Sequence, residues 1–158
     1  FWGCPQNLSL PHLPARKTID YPALGLAERR LIERRIPRAQ SVWKLFTTGS
    51  VGSQPLMGLP MIARLVQAGA SVWPFDPPEA RVVLAEVYPS LIDPAVARAM
   101  QSGEIKDAAQ TRLLARALWQ VAQIGGMQTL FETPPQVRQD EGWILGADHQ
   151  PALLAALA

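Results

Sequence analysis

Lys44-Leu45-Phe46-Thr47-Thr48-Gly49-Ser50-Val51-Gly52-Ser53-Gln54-Pro55-Leu56-Met57-Gly58-Leu59-Pro60 is where an apolar run stops, a Gly/Ser loop follows and a helical pattern begins. Ser41 to Phe46 reads as a short buried strand. Met57 to Ala68 places Met57, Met61, Ile62, Leu65 and Val66 at amphipathic-helix spacing, with Pro60 in the first turn and Gly69 as the stop. Strand, loop and helix in that order indicate an α/β chain. Gly49 and Gly52 can take positive φ, and Thr47, Thr48, Ser50 and Ser53 offer hydroxyls beside free backbone N–H groups, which suits an anion or polar ligand. The spacing matches neither a Walker loop nor the dinucleotide Gly-x-Gly-x-x-Gly fingerprint. Two readings therefore stand: a phosphate cradle built from Gly49, Ser50, Gly52, Ser53 and Gln54, or a structural turn capped by its hydroxyls.

Downstream, Ser71 to Phe75 reads as a second strand closed by Asp76-Pro77-Pro78. Arg81 to Tyr88 reads as a third, with the continuous apolar character of a central α/β strand. Glu86 stands inside that run. A carboxylate there must be paired, metal-bound or lifted to the sheet edge, where α/β sites lie; the alternative is a structural bond to loop N–H groups. Lys106 to Ile124 is the clearest helix, with Ile105, Ala109, Leu113, Ala117, Val121 and Ile124 on one stripe beside Leu114 and Leu118, and Gly125-Gly126 as the stop. Asp107 in its first turn complements the helix dipole or serves a site. Asp93 reads as the N-cap of a short helix over 94–100, and Pro151 to Ala158 as a last helical segment.

Upstream, Leu24 to Ile36 has helical composition ended by Pro37. Arg29, Arg30, Arg34, Arg35 and Arg38 fall within ten residues there. They form either a solvated face partnered by Glu28 and Glu33 or a phosphate-binding patch, Arg34 included, because guanidinium forks fit phosphate oxygens. Residues 1–23, carrying Pro5, Pro11, Pro14 and Pro22, read as an extended proline-rich arm, and 24–158 as the α/β body of a single domain.

The 158 residues are enough to bury a core. A net charge of +2 is too small to argue for nucleic acid or a membrane, and no aromatic-plus-basic platform is visible beyond the arginine group. No apolar run approaches a bilayer span. Cys4 as the only cysteine excludes an internal disulfide and points to a cytoplasmic setting, and His12 and His149 are too far apart in sequence to suggest a zinc site. An opening Phe1-Trp2 suggests a piece of a longer polypeptide.

Five motifs in order then carry a resemblance: Phe1-Trp2-Gly3-Cys4-Pro5; Val42-Trp43-Lys44-Leu45 with Gly49 to Gln54 and Gly58-Leu59-Pro60; Val72-Trp73-Pro74-Phe75-Asp76; Ala85-Glu86-Val87-Tyr88-Pro89-Ser90; and Glu141-Gly142-Trp143-Ile144-Leu145-Gly146. Together they resemble a bacterial branch of the uncharacterised predicted nucleases. Alphaproteobacterial members of that branch are often labelled molybdopterin-guanine dinucleotide synthesis proteins. The resemblance implies part of a ribonuclease-H-like mixed sheet with flanking helices and a helix-rich C-terminal half. It also implies a divalent-metal-dependent phosphoester hydrolase with Glu86 and Asp107 as catalytic and Mg²⁺- or Mn²⁺-binding carboxylates. The family's early aspartate strands would lie on a missing N-terminal segment of the same protein. The alternative is an accessory protein without chemistry that binds a phosphorylated pterin or guanine nucleotide at the Gly/Ser loop. A third reading has the loop only ordering a helix and the chain working through protein contacts.

Overall fold

The computed structural model describes every residue except Pro37, Thr48, Arg138 and Gln139. The expected helix stop at Pro37 and the Thr48 hydroxyl lie outside the described residues. The chain divides into two compact units, Phe1–Ala70 and Ser71–Ala158. It is a helix-rich α/β chain with a small parallel sheet.

In the first unit the proline-rich arm is stitched down along its length. Trp2 N–H donates to Trp43 O at 3.0 Å and Leu45 N–H to Trp2 O at 2.9 Å, a parallel bridge between Trp2 and Lys44. Gly3 N–H reaches Pro14 O at 2.8 Å. Where the composition suggested one helix over 24–36 there are two short pieces, a 3₁₀ turn at Pro22–Leu24 and helix α1 at Leu31–Arg35. Gly25 takes the left-handed conformation at φ 67°, which ends the first piece. Arg30 is extended and forms a capping box with Glu33, which starts the second. The strand expected over 41–46 is a turn, Lys44 N–H closing on Ser41 O at 3.2 Å, and only Lys44 keeps a bridge.

Helix α2 spans Ser53–Gln67, starting four residues before the expected Met57, so Pro60 lies inside it rather than in its first turn. Pro55 is the residue that occupies the first turn, where a missing N–H costs little. No α2 residue is buried, and Met57 is 82% exposed. Gly52 immediately precedes the helix because nothing larger fits: a Cβ there would collide with Val42 O and come within 2.8 Å of Lys44 O.

In the second unit β1 (Ser71–Val72) pairs in parallel with β2 (Val83–Leu84), Ser71 opposite Val83 and Val72 opposite Leu84. Both are shorter than the expected 71–75 and 81–88. Asp76 curls back on β1, its carboxylate accepting from Val72 N–H at 2.8 Å while its own N–H donates to Val72 O at 2.9 Å. Beyond β2, Glu86 forms an isolated parallel bridge with Ile144, and Leu145 N–H donates to Glu86 O at 2.9 Å.

Helices α3 (Asp93–Ala99), α4 (Lys106–Gln123), α5 (Met127–Leu130) and α6 (Gln150–Ala155) supply the bulk of this unit. Its core gathers Ile92, Val96, Leu113, Leu114, Val121, Leu130, Trp143, Ile144 and Leu153. Each large aliphatic chain buried there contributes roughly 1.5–3 kcal/mol. The α4 stripe is confirmed at Ala109, Leu113, Leu114, Ala117 and Val121, but Ile105 and Ile124 at its ends are exposed. Gln110 is buried instead and donates to the Asp93 carboxylate at 3.0 Å, with Lys106 3.3 Å from the same group. Asp93 thus begins α3 as its first helical residue and ties it to α4. Gly146 turns at φ 71° against Leu153 and Leu130, seating the buried 142–146 segment.

Gly52, just before α2, and Gly58, inside it, separate close packing from conformational cost. Gly52→Ala is expected to destabilise by about 2 kcal/mol through overpacking against fixed backbone. Gly58→Ala, where a Cβ meets nothing within 4 Å, is expected to stabilise by about 0.5–1 kcal/mol. Urea unfolding of both variants checks the pair; equal shifts would contradict the packing at Gly52.

Candidate functional site

The residues singled out in the sequence fall in both units. Glu86 is exposed, just past the carboxyl end of β2, and its backbone is held by the Ile144 bridge. Asp107 is exposed in the first turn of α4, where its charge complements the helix dipole. Among the described residues no three His, Cys, Asp or Glu side chains form a group that could hold a metal ion. Two-metal phosphoester chemistry needs several carboxylates converging on the ions, and the described residues do not fit such a centre.

The Gly/Ser loop lies in the first unit, and much of its donor capacity points inward. Ser50 N–H bonds Thr47 O at 3.0 Å and the Ser50 hydroxyl bonds Leu45 O at 3.1 Å. Gly52 N–H bonds Lys44 O at 3.1 Å and Gln54 N–H bonds Val51 O at 3.2 Å. Gly49 turns at φ 75°, and Thr47 shares positive φ. A phosphate drawing on Ser50, Gly52 and Gln54 would displace these bonds; Ser53 opens α2 directly after them. The geometry is that of a turn that launches a helix.

The arginine group is built differently. Ser41 Oγ donates to Glu28 O at 2.7 Å, Trp43 Nε1 to Ala27 O at 2.9 Å and Arg29 Nη1 to Ala39 O at 3.1 Å. These three bonds run 27 to 43, 28 to 41 and 29 to 39, closing the two segments in antiparallel order by side chains alone. Arg34 then folds back, Nε and Nη2 donating to Arg29 O at 3.2 and 3.1 Å. In these contacts Arg29 and Arg34 are held by neutral carbonyl oxygens, which fix a guanidinium without cancelling its charge. Glu33, 2% exposed, is spent on Arg30: its carboxylate accepts from Arg30 Nε at 2.8 Å and from Arg30 N–H at 3.0 Å. Glu28 pairs with Lys17 at 3.0 Å rather than with the arginine group.

Charge counting reinforces the contrast. Residues 1–70 carry nine Lys and Arg against three acids, a net +6, while residues 71–158 carry six against ten, a net −4. The modest +2 of the whole chain hides this asymmetry.

Beside this group Trp43 packs between two rings, Phe1 at 5.3 Å and Tyr21 at 5.6 Å between centroids. Tyr21 is buried and its hydroxyl has no hydrogen-bond partner among the described residues; burial, and then the nearby charge of Glu28, push its pKa up. The sequence reading named Arg34 but not the anchoring of Arg29, nor the roles of Ser41 and Trp43. The signal in the sequence was a Ser-x-Trp pair that begins three residues after the last arginine of the cluster, which periodicity does not weigh. Comparison with protein-family models, with curated proteins and with solved structures gives no match.

Two stability predictions follow from this geometry. Glu33→Ala strips Arg30 of a buried partner and removes the α1 cap, and is expected to cost about 3 kcal/mol in denaturant unfolding. A raised tyrosine pKa stabilises the fold fully below the unfolded value near 10, and that contribution is lost as pH rises through the folded value. Tyr21→Phe is therefore expected to be neutral or stabilising by up to ~1 kcal/mol at pH 7, since it deletes an unpaired buried hydroxyl. It should also flatten the decline in thermal midpoint above pH 10; an unchanged alkaline decline would contradict the assignment to Tyr21.

Proposed function

We propose that the protein is an accessory binding module for a phosphate-bearing small molecule, held through Arg29 and Arg34 of the cationic first unit. The observation that carries this reading is the anchoring of both guanidiniums on backbone carbonyls. Immobilising an arginine before the ligand arrives reduces the entropy lost on binding, and an uncancelled charge adds long-range attraction. The remaining N–H donors of a guanidinium fork match phosphate oxygens. The Gly/Ser loop then has the supporting part of fixing the 42–45 segment and the start of α2. A phosphorylated pterin or a guanine nucleotide, as the resemblance implies, belongs to this ligand class.

The rival reading, a metal-dependent hydrolase of ribonuclease-H-like type using Glu86 and Asp107, has in its favour the exposure of Glu86 at the carboxyl end of a parallel strand. It lacks a ligand set among the described residues. Calorimetric titration with inorganic pyrophosphate separates the two. Binding is expected to weaken roughly tenfold in Arg34→Gln, the scale of one charged hydrogen bond, to fall with added salt, and to be unchanged in Glu86→Gln and Asp107→Asn. Pyrophosphate affinity that ignores Arg34→Gln, or Mn²⁺-dependent hydrolysis lost in Glu86→Gln, would overturn the binding-module reading.

A further inference from the structure

The run Ser71-Val72-Trp73-Pro74-Phe75 is apolar and strand-forming, yet β1 keeps only its first two residues, and one side of β1 is an edge of the two-stranded sheet. Such an edge offers backbone N–H and C=O groups to an extended segment of another chain. We infer that Asp76 is a built-in cap on this edge, standing where an added strand would bind and keeping β1 from pairing with a second copy of the chain. The inference is independent of the phosphate reading, which concerns the first unit.

The backbone bonds show the cap directly. Ser71 N–H and Trp73 N–H donate inward to Val82 O and Leu84 O at 3.0 and 2.9 Å. Val72, the residue between them, therefore turns its N–H and C=O outward. Asp76 meets both: its carboxylate accepts from Val72 N–H at 2.8 Å and its own N–H donates to Val72 O at 2.9 Å. That exchange reproduces the pair of bonds by which two opposed residues of antiparallel strands are joined. On either side, Ala70 N–H donates to Leu65 O at 3.0 Å and Pro74 carries no N–H at all. Every outward donor from 70 to 74 is thus bonded or absent.

The neighbourhood explains why a cap is needed. Phe75 is 56% exposed and Val82 49%, so strand addition here would also bury apolar surface. Asp76 opposes it in two ways. It occupies the backbone groups, and its exposed carboxylate would face its own counterpart when two such edges meet, a like-charge contact that destabilises pairing.

Sedimentation velocity and thioflavin fluorescence test the cap. Asp76→Ala is expected to form β-paired oligomers whose mass rises with concentration, with the near-ultraviolet dichroism of buried Trp73 retained. Asp76→Asn, whose amide oxygen still accepts from Val72 N–H, is expected to keep the wild-type mass. Adding Val72→Pro to Asp76→Ala is expected to restore that mass, since proline leaves no outward donor. Wild-type mass in Asp76→Ala, oligomers that survive Val72→Pro, or equal association in Asp76→Asn overturns the cap. Hydrogen exchange on the unmodified protein gives a reading that depends on no variant folding. Val72 N–H is expected to exchange roughly tenfold more slowly than an unbonded surface amide, the scale of one hydrogen bond to a charged group; exchange at the unprotected rate overturns the bond on which the cap rests.

Discussion

The side-chain closure of residues 27–29 onto 39–43 is the constraint on which the first unit depends. Short helices and a proline-rich arm cannot stabilise one another through a continuous ladder, because an arm rich in prolines lacks the N–H groups to build one. A serine hydroxyl, an indole N–H and a guanidinium take over that task, each donating to a backbone carbonyl. Fixing this hairpin-like fold of the chain sets the Trp2–Lys44 bridge beside it, and Lys44 O in turn receives Gly52 N–H at the start of α2. One set of bonds thereby orders the arm, the arginine group and the helix origin.

The second unit uses a different principle. Its sheet is two residues wide in each strand, so hydrogen bonding within it is minor, and helices on a common apolar core provide the stability. Polar side chains act as ties between those helices. Asp93 links α3 to α4 through Gln110 and Lys106, and Gln150 Nε2 reaches Leu91 O at 2.7 Å to hold α6. Trp73 donates to Phe131 O at 3.0 Å and meets its ring edge-on, locking the end of β1 against the segment after α5. At the surface, Arg112 holds Glu104 in a two-pronged pair that keeps the carboxyl below its usual pKa range.

What could be read from the sequence follows the same division. Helix α4 was legible almost to the residue, since an eighteen-residue amphipathic pattern ended by two glycines leaves few alternatives. The existence of β1 and β2 was legible, but not their length, because the Asp76 turn cuts β1 short in a way an apolar run does not reveal. In the first unit, helical composition over 24–36 lost to Gly25 and to the Arg30–Glu33 cap, and the apolar run at 41–46 lost to local turn bonding. The Gly/Ser loop illustrates the limit most clearly. Its composition offers donors, and only coordinates reveal that Ser50, Gly52 and Gln54 direct theirs to neighbouring carbonyls. The arginine cluster was visible as a cluster, while which guanidiniums meet carboxylates and which meet carbonyls was not.

The central claim is that Arg29 and Arg34 are held rigidly by uncharged acceptors. Nitrogen-15 NMR of the arginine side chains in the ligand-free protein tests it most directly, through the rate of rotation about each Nε–Cζ bond. The account predicts slow rotation and individually resolved Nη signals for Arg29 and Arg34, against rapid averaging for the exposed Arg64. Rapid averaging at Arg29 and Arg34 alike would mean that the guanidiniums are not fixed, and would contradict it.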